Sequence, residues 1–191
     1  YSPMCPLNIL VLTAYPPGLG LNGGAVRMYY NVKFLASKHR VTLISFVEHE
    51  RERELLKKLQ PLGVEVRAVH RRPVPPRDLW MPRPSEHYEF AGAEMVDEVR
   101  QVLASRRFDV IQAEYFQMAQ HVPRDAVRHT VLTLHEIQYA NAAQAFERAG
   151  SPWARARKWY DWMVQLNYEV RHCARFDAVV CMTSEDARQL A

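Results

Sequence analysis

A chain of 191 residues, 48% hydrophobic and 24% charged, can bury one full core and has the balance of an ordinary globular domain. Its formal net charge of +4 suits acidic partners without selecting one. No stretch approaches the ~18 uncharged apolar residues of a membrane span, nothing reads as a signal peptide, and the three cysteines lack CxxC spacing, so a reducing cytosol is expected.

Asn8 to Thr13 (NILVLT) is an apolar run that predicts a buried strand. A glycine-rich loop ending Asn22-Gly23-Gly24-Ala25 follows. Then comes a helix whose apolar side is Ala25, Met28, Tyr29, Val32, Leu35 and Ala36, with Arg27, Asn31, Lys33 and Ser37 largely on the other side. Taken alone, the glycine pair equally suits a turn needing positive φ. Val41–Phe46 is the second strand, followed by a charged helix with Leu55, Leu56 and Leu59 inward and Glu52, Glu54, Lys57 and Lys58 outward. Val64–Val69 is the third strand. The proline-rich connection 70–84 is a loop, because proline opposes both helix and ladder; Arg71 and Arg72 are read as its solvated part. One mostly helical stretch is expected over 86–106, then strands at 108–113 and 130–134. A long helix over 153–174 carries Trp159, Trp162, Met163, Leu166, Val170 and Cys173 at helical spacing, which predicts an inward face. A last strand, 178–182, precedes a helix capped at Ser184.

Apolar strands alternating with helices predict a Rossmann-like parallel sheet with helices on both faces. Ligands of such sheets bind outside the carboxyl ends of the strands. That rule gathers the loops 14–24, 47–50, 70–85, 114–117 and 135–139 at one rim, with Gly23, Gly24, Arg71, Arg72, Glu114, Tyr115, His135 and Glu136 among their residues. His135-Glu136 opens like a zinc-binding HExxH helix, but Tyr139 replaces the second histidine, so no metal site is assigned.

Four segments in order carry a resemblance: ILVLTAYPPGLGLNGGAVRMYYNVKFLASKHRVTLISF, FDVIQAEYFQMAQHV, VLTLHEIQYANAAQAF and FDAVVCMTSEDARQLA. Together they resemble the N-terminal domain of bacterial glycosyltransferases of the GT-B fold, in the large retaining family-4-like group that uses nucleotide sugars. The resemblance implies that residues 1–191 are one acceptor-side domain, half of a two-domain enzyme. It further implies that the donor-binding pair of glutamates eight positions apart lies in a C-terminal domain outside this chain, and that the chain alone is inactive. By position it makes His135 the residue near the transferred sugar. Gly23 and Gly24 form the glycine loop beside donor phosphates or acceptor, and Glu114, Tyr115 and Glu136 face the substrate, although many relatives carry a histidine where Glu114-Tyr115 stands. No cofactor is implied beyond the nucleotide-sugar substrate, and the partner is an acceptor glycan, lipid or small molecule rather than nucleic acid. Trp153 with Arg155, Arg157 and Lys158 suggests a peripheral contact with anionic membrane.

Two other readings stand beside it. Gly18-Leu19-Gly20-Leu21-Asn22-Gly23 formally matches GxGxxG, with Glu48 as a ribose-binding acid, as in nicotinamide- or flavin-dependent oxidoreductases. Tyr15-Pro16-Pro17 intervenes between strand and glycines, which is poor context for that fingerprint. A basic non-catalytic binding module rests on the pI and the basic loop alone.

Overall fold

The computed structural model describes residues 5–72, 82–125 and 127–190. Six strands form one parallel sheet: β1 (Asn8–Thr13), β2 (Arg40–Val47), β3 (Glu65–His70), β4 (Val110–Glu114), β5 (His129–Thr133) and β6 (Ala178–Val180). Their order is β3-β2-β1-β4-β5-β6. The direction of winding reverses between β1 and β4, the point at which sheets of this kind open a crevice outside their carboxyl ends.

Helices α1 (Gly23–Ala36) and α2 (Glu50–Lys57) belong to one face of the sheet. Val32, Leu56 and Leu59 pack there with Ile9, Val11, Val41 and Leu43. On the other face, α3 (Ser85–Glu89), α4 (Ala93–Ser105) and a 3-10 helix (Phe116–His121) close over Leu10, Leu12, Ile44 and Ile111. Strand alternation assigns the sides: odd positions of β1 point to α1 and even positions to α4. The expected helix over 86–106 is thus two helices, broken where Gly92 takes an extended conformation as the N-cap of α4. Part of the expected proline-rich loop, including Pro73, Pro75 and Pro76, lies outside the described residues.

Helix α5 (Gln138–Glu147), unanticipated in the sequence, packs on the long α6 (Pro152–Cys173); α7 (Ser184–Leu190) ends the described chain. The face that α6 buries differs from the apolar face expected of it. Trp159, Met163 and Val170 are exposed, whereas Gln165 and Glu169 are buried. Docking of α5 is the reason. The Glu169 carboxylate accepts the backbone N–H groups of Gln138 and Tyr139 at 3.3 and 2.9 Å, so a buried acid caps the α5 N-terminus. Trp162 keeps its inward place by stacking on Phe146 at 5.8 Å. Trp153 is 88% exposed.

Burial pushes the Glu169 carboxyl up to about 7, against the two amide hydrogen bonds that hold it down. The folded chain therefore binds this proton more tightly than the unfolded chain does. The associated stability is complete below the ordinary carboxyl range and is lost as pH rises through 7. Glu169→Gln keeps an oxygen acceptor for α5 and removes the titration. The variant should gain on the wild type between pH 5 and pH 8 by on the order of 3 kcal/mol, as thermal melts at the two pH values will show.

Candidate functional site

The register of the sheet places Thr13 opposite Glu114, and Glu114 opposite Thr133, so three polar residues end neighbouring strands at one level. Glu114 is 1% exposed. A buried carboxylate persists only when its oxygens are filled by donors, and here they are. Asn31 Nδ2 donates to Oε1 at 2.8 Å, Gln112 Nε2 to Oε1 at 2.6 Å, and His135 Nε2 to Oε2 at 2.8 Å. Because a carboxylate only accepts, Nε2 carries a proton in this pair, and in the neutral imidazole Nδ1 keeps a lone pair. The His135 side chain is 7% exposed.

Tyr115 lies flat on the imidazole, with ring centroids 4.0 Å apart and planes 12° from parallel. Its backbone sits at φ 74°, a conformation that costs a non-glycine residue on the order of 1–3 kcal/mol. The surroundings hold it there: its N–H donates to the Thr133 carbonyl at 2.9 Å, and Tyr15 meets its ring edge-on at 5.5 Å. Burial, with minor help from Tyr15, Glu136 and Glu114, pushes the phenol up to about 12. It stays a neutral hydroxyl at any physiological pH.

Helix α1 delivers its N-terminus to the same place. Asn22 is the N-cap and accepts from the Ala25 N–H at 2.9 Å. The Gly23 and Gly24 amides, which have no intrahelical acceptor, donate to no described residue. A Cβ placed on Gly24 would stand 1.9 Å from Tyr115 Oη and 3.4 Å from His135 Nδ1, whereas one on Gly23 would meet nothing within 4 Å. Both glycines sit within the first turn of α1 rather than in a loop before it, and positive φ occurs instead at Gly20 and Gly63. Close approach, not turn chemistry, is therefore what requires a glycine at 24.

Of the residues expected at the rim, Gly24, Glu114, Tyr115 and His135 come together, with Gly23 on the open side. Glu136 is adjacent but exposed, and accepts from Gln138 Nε2 at 2.6 Å and Asn141 Nδ2 at 3.1 Å. Arg71 is not a solvated loop residue. Its side chain is 18% exposed, held by Glu48 and Glu89, with its guanidinium 4.7 Å from the Phe90 ring centroid. Arg72 pairs with Glu94 at 2.9 Å and stays exposed. Glu48, the acid of the dinucleotide reading, is paired with Arg71, and Gly18 lies against Leu21 and Leu55.

Two participants escaped sequence reasoning. The polar pattern of α1 puts Asn31 on its outer side, yet Gly24, Met28 and Asn31 follow helical spacing toward the sheet. Gln112 and Glu114 are alternate polar positions in an otherwise apolar strand, a signal that both face one side. Thr13 Oγ1, on that side, is buried with no partner among the described residues.

A parallel sheet of this order, with a helix N-terminus, a histidine–carboxylate pair and a tyrosine meeting at the point of reversal, defines a Rossmann-like domain whose polar rim lies where sheets of this kind take their ligands. The chain belongs to the glycosyl transferase 4-like domain family, whose model matches residues 22–191. A comparison with curated proteins returned no match. Among solved structures the chain is similar to apo UGT2 of Phytolacca americana, with 13% identity and a TM-score of 0.58 over 95% of this chain and 46% of that one. It is also similar to the same plant's UGT2 complexed with UDP-2fluoro-glucose and pterostilbene, with 10% identity and a TM-score of 0.57 over 96% of this chain and 49% of that one. At these identities the likeness is one of fold, and the chain spans about half the length of either structure. The expected architecture, an N-terminal glycosyltransferase domain of the GT-B kind, is the one found.

Proposed function

We propose that this domain is the acceptor-side half of an enzyme that moves a sugar from a nucleotide donor, with the reacting centre at the crevice between β1 and β4. The observation that carries this reading is the convergence of the free α1 amides, Tyr115 and the His135–Glu114 pair on Gly24. Family membership supports the reaction class, and the UDP-2fluoro-glucose complex of UGT2 supports a nucleotide sugar as donor.

The chemistry follows from charge. Breaking the bond between sugar and diphosphate leaves negative charge on the departing oxygens. The Gly23 and Gly24 N–H groups at the positive end of α1 are fixed donors for it and need no reorganisation. His135, with its proton committed to Glu114, offers Nδ1 as an acceptor for a sugar hydroxyl and so orients the donor. On this reading it orients the donor and is not the general base of the reaction. Positioning carries much of the rate. On this reading a second α/β unit holds most of the nucleotide sugar.

The test is direct. Incubated alone with nucleotide sugars, the 191-residue chain should show no transfer above background, and the same chain joined to a second unit carrying two glutamates eight positions apart should turn over. Robust transfer by the isolated chain would defeat the two-wall reading.

A further inference from the structure

Behind the site, on the α4 side of the sheet, a cleft of about 1000 Å³ opens between α6 and residues 82–93, closed at one end by the 3-10 helix. Arg83, Arg171 and Arg175 line it with His87, His121 and His172, and among the described residues no aspartate or glutamate does. Arg83 donates to His87 Nε2 at 2.6 Å, and Arg175 to the Val122 carbonyl at 3.4 Å. None of the three arginines forms an ion pair among the described residues. All three are exposed, so they stay hydrated, and together they give the mouth of the cleft a positive field that favours an anion.

The neighbouring groups differ in what they offer. His121 is 4% exposed; its Nε2 donates to the Phe90 carbonyl at 2.7 Å, so its Nδ1, without a partner among the described residues, is an acceptor and gives an anion no hydrogen bond. The first turn of α4 reaches the cleft through Gly92 and Ala93 without a side-chain cap, while Glu94 of that turn is taken up by Arg72. Burial and the Arg83 charge push His87 down to about 4, and burial does the same to His121, so the positive field is that of the guanidinium groups.

The remaining wall is apolar. Trp159, Tyr160 and Met163 line the cleft from α6, and all three are exposed. A second cavity of about 400 Å³ shares Pro82, Arg83, Tyr160 and Val164 with the first. It extends to Gln138 and Asn141, whose amides hold Glu136 next to His135. The 3-10 helix measures the separation as well: six residues from Tyr115 to His121 at about 2.0 Å each make roughly 12 Å.

We propose that this cleft binds an acidic amphiphile, a phosphate ester carried on an apolar group, with the phosphate among Arg83, Arg171 and Arg175 and the apolar part along Trp159 and Met163. Its role as the sugar acceptor, lying through the second cavity toward His135, rests on the glycosyltransferase reading; its binding does not. Guanidinium groups suit a phosphate because their fixed forks match its oxygens.

Isothermal titration of the protein with decyl phosphate below its micelle concentration, with inorganic phosphate and with decanol separates the contributions. Decyl phosphate should bind at least about tenfold more tightly than either half-probe. The double variant R171E/R175E changes two exposed side chains, so its melting temperature should hold while decyl phosphate binding falls at least about tenfold. Trp159→Ala should weaken decyl phosphate and leave inorganic phosphate unchanged. Undiminished binding in R171E/R175E overturns the site, and decanol or inorganic phosphate binding as tightly as decyl phosphate overturns the ligand class. No donor is present in these titrations, and His135→Ala should bind decyl phosphate like the wild type. Failure of the transfer reading is therefore seen separately from failure of the cleft.

Discussion

His135→Ala is expected to lower sugar transfer by the complete enzyme by roughly 100- to 1000-fold, the usual loss when one preorganised polar contact to the reacting group is removed. The fold should survive. Glu114 keeps Asn31 and Gln112 as donors, so the buried carboxylate loses one of three partners and stability falls by about 1–3 kcal/mol. Glu114→Gln separates positioning from contact. A glutamine amide can donate toward Nε2 and shift the imidazole proton to Nδ1, turning the acceptor offered to the sugar into a donor. Transfer should then fall at least about tenfold with the imidazole still in place, and the ¹⁵N shifts of His135 should report the exchanged tautomer. Full activity in His135→Ala removes this residue from the reaction, and wild-type ¹⁵N shifts in Glu114→Gln remove the tautomer argument.

Gly24→Ala carries the second large effect. The new Cβ falls 1.9 Å from Tyr115 Oη, and the phenol has little freedom to retreat, because His135 lies under its ring and Tyr15 against its edge. Overpacking of this kind costs on the order of 1–3 kcal/mol, partly offset by the roughly 0.5–1 kcal/mol that alanine gains over glycine in a helix. Activity should suffer more than stability, since relief requires Tyr115 to leave His135. A loss of about 10- to 100-fold in transfer is expected for displacements of this size. Two controls make the account specific. Gly23→Ala meets open space and should melt at or slightly above the wild type. Adding Tyr115→Phe to Gly24→Ala removes the clashing oxygen and leaves the next contact, Cζ, at 3.1 Å, so the double variant should regain most of the lost stability. If Gly23→Ala and Gly24→Ala behave alike, close approach is not the reason for the glycine.

The strained backbone of Tyr115 belongs to the same argument. A tyrosine at φ 74° is kept there by the hydrogen bond from its N–H to the Thr133 carbonyl and by two ring contacts, and strain of this sort gathers at sites whose geometry is over-determined. The ring it positions covers one side of His135 and leaves the nitrogen edge near Gly24 as the approach for a ligand.

Much of this was legible in the residue order. Continuous apolar strands separated by helices gave the parallel sheet, since a strand buried on both faces has no polar alternation to display. The rule that ligands sit at carboxyl ends then collects Gly24, Glu114, Tyr115 and His135 from the residue order alone. The amphipathic reading of α6 failed for an equally physical reason. Apolar spacing reports where oily side chains fall, but the buried face is chosen by what docks. Here the N-terminus of α5 selected a carboxylate, Glu169, over Trp159 and Met163.

The sequence by itself thus determined the class of sheet, the ends of most elements and the short list of residues at the rim, because each of these follows from local spacing and backbone chemistry. Tertiary structure alone decided that Asn31 and Gln112 complete the carboxylate, that Arg71 is locked between two acids, that Gly24 is a matter of clearance, and that three arginines share one cleft. The carboxylate alone depends on side chains 83 positions apart in the chain meeting at 2.8 Å, and nothing in a one-dimensional pattern encodes that distance.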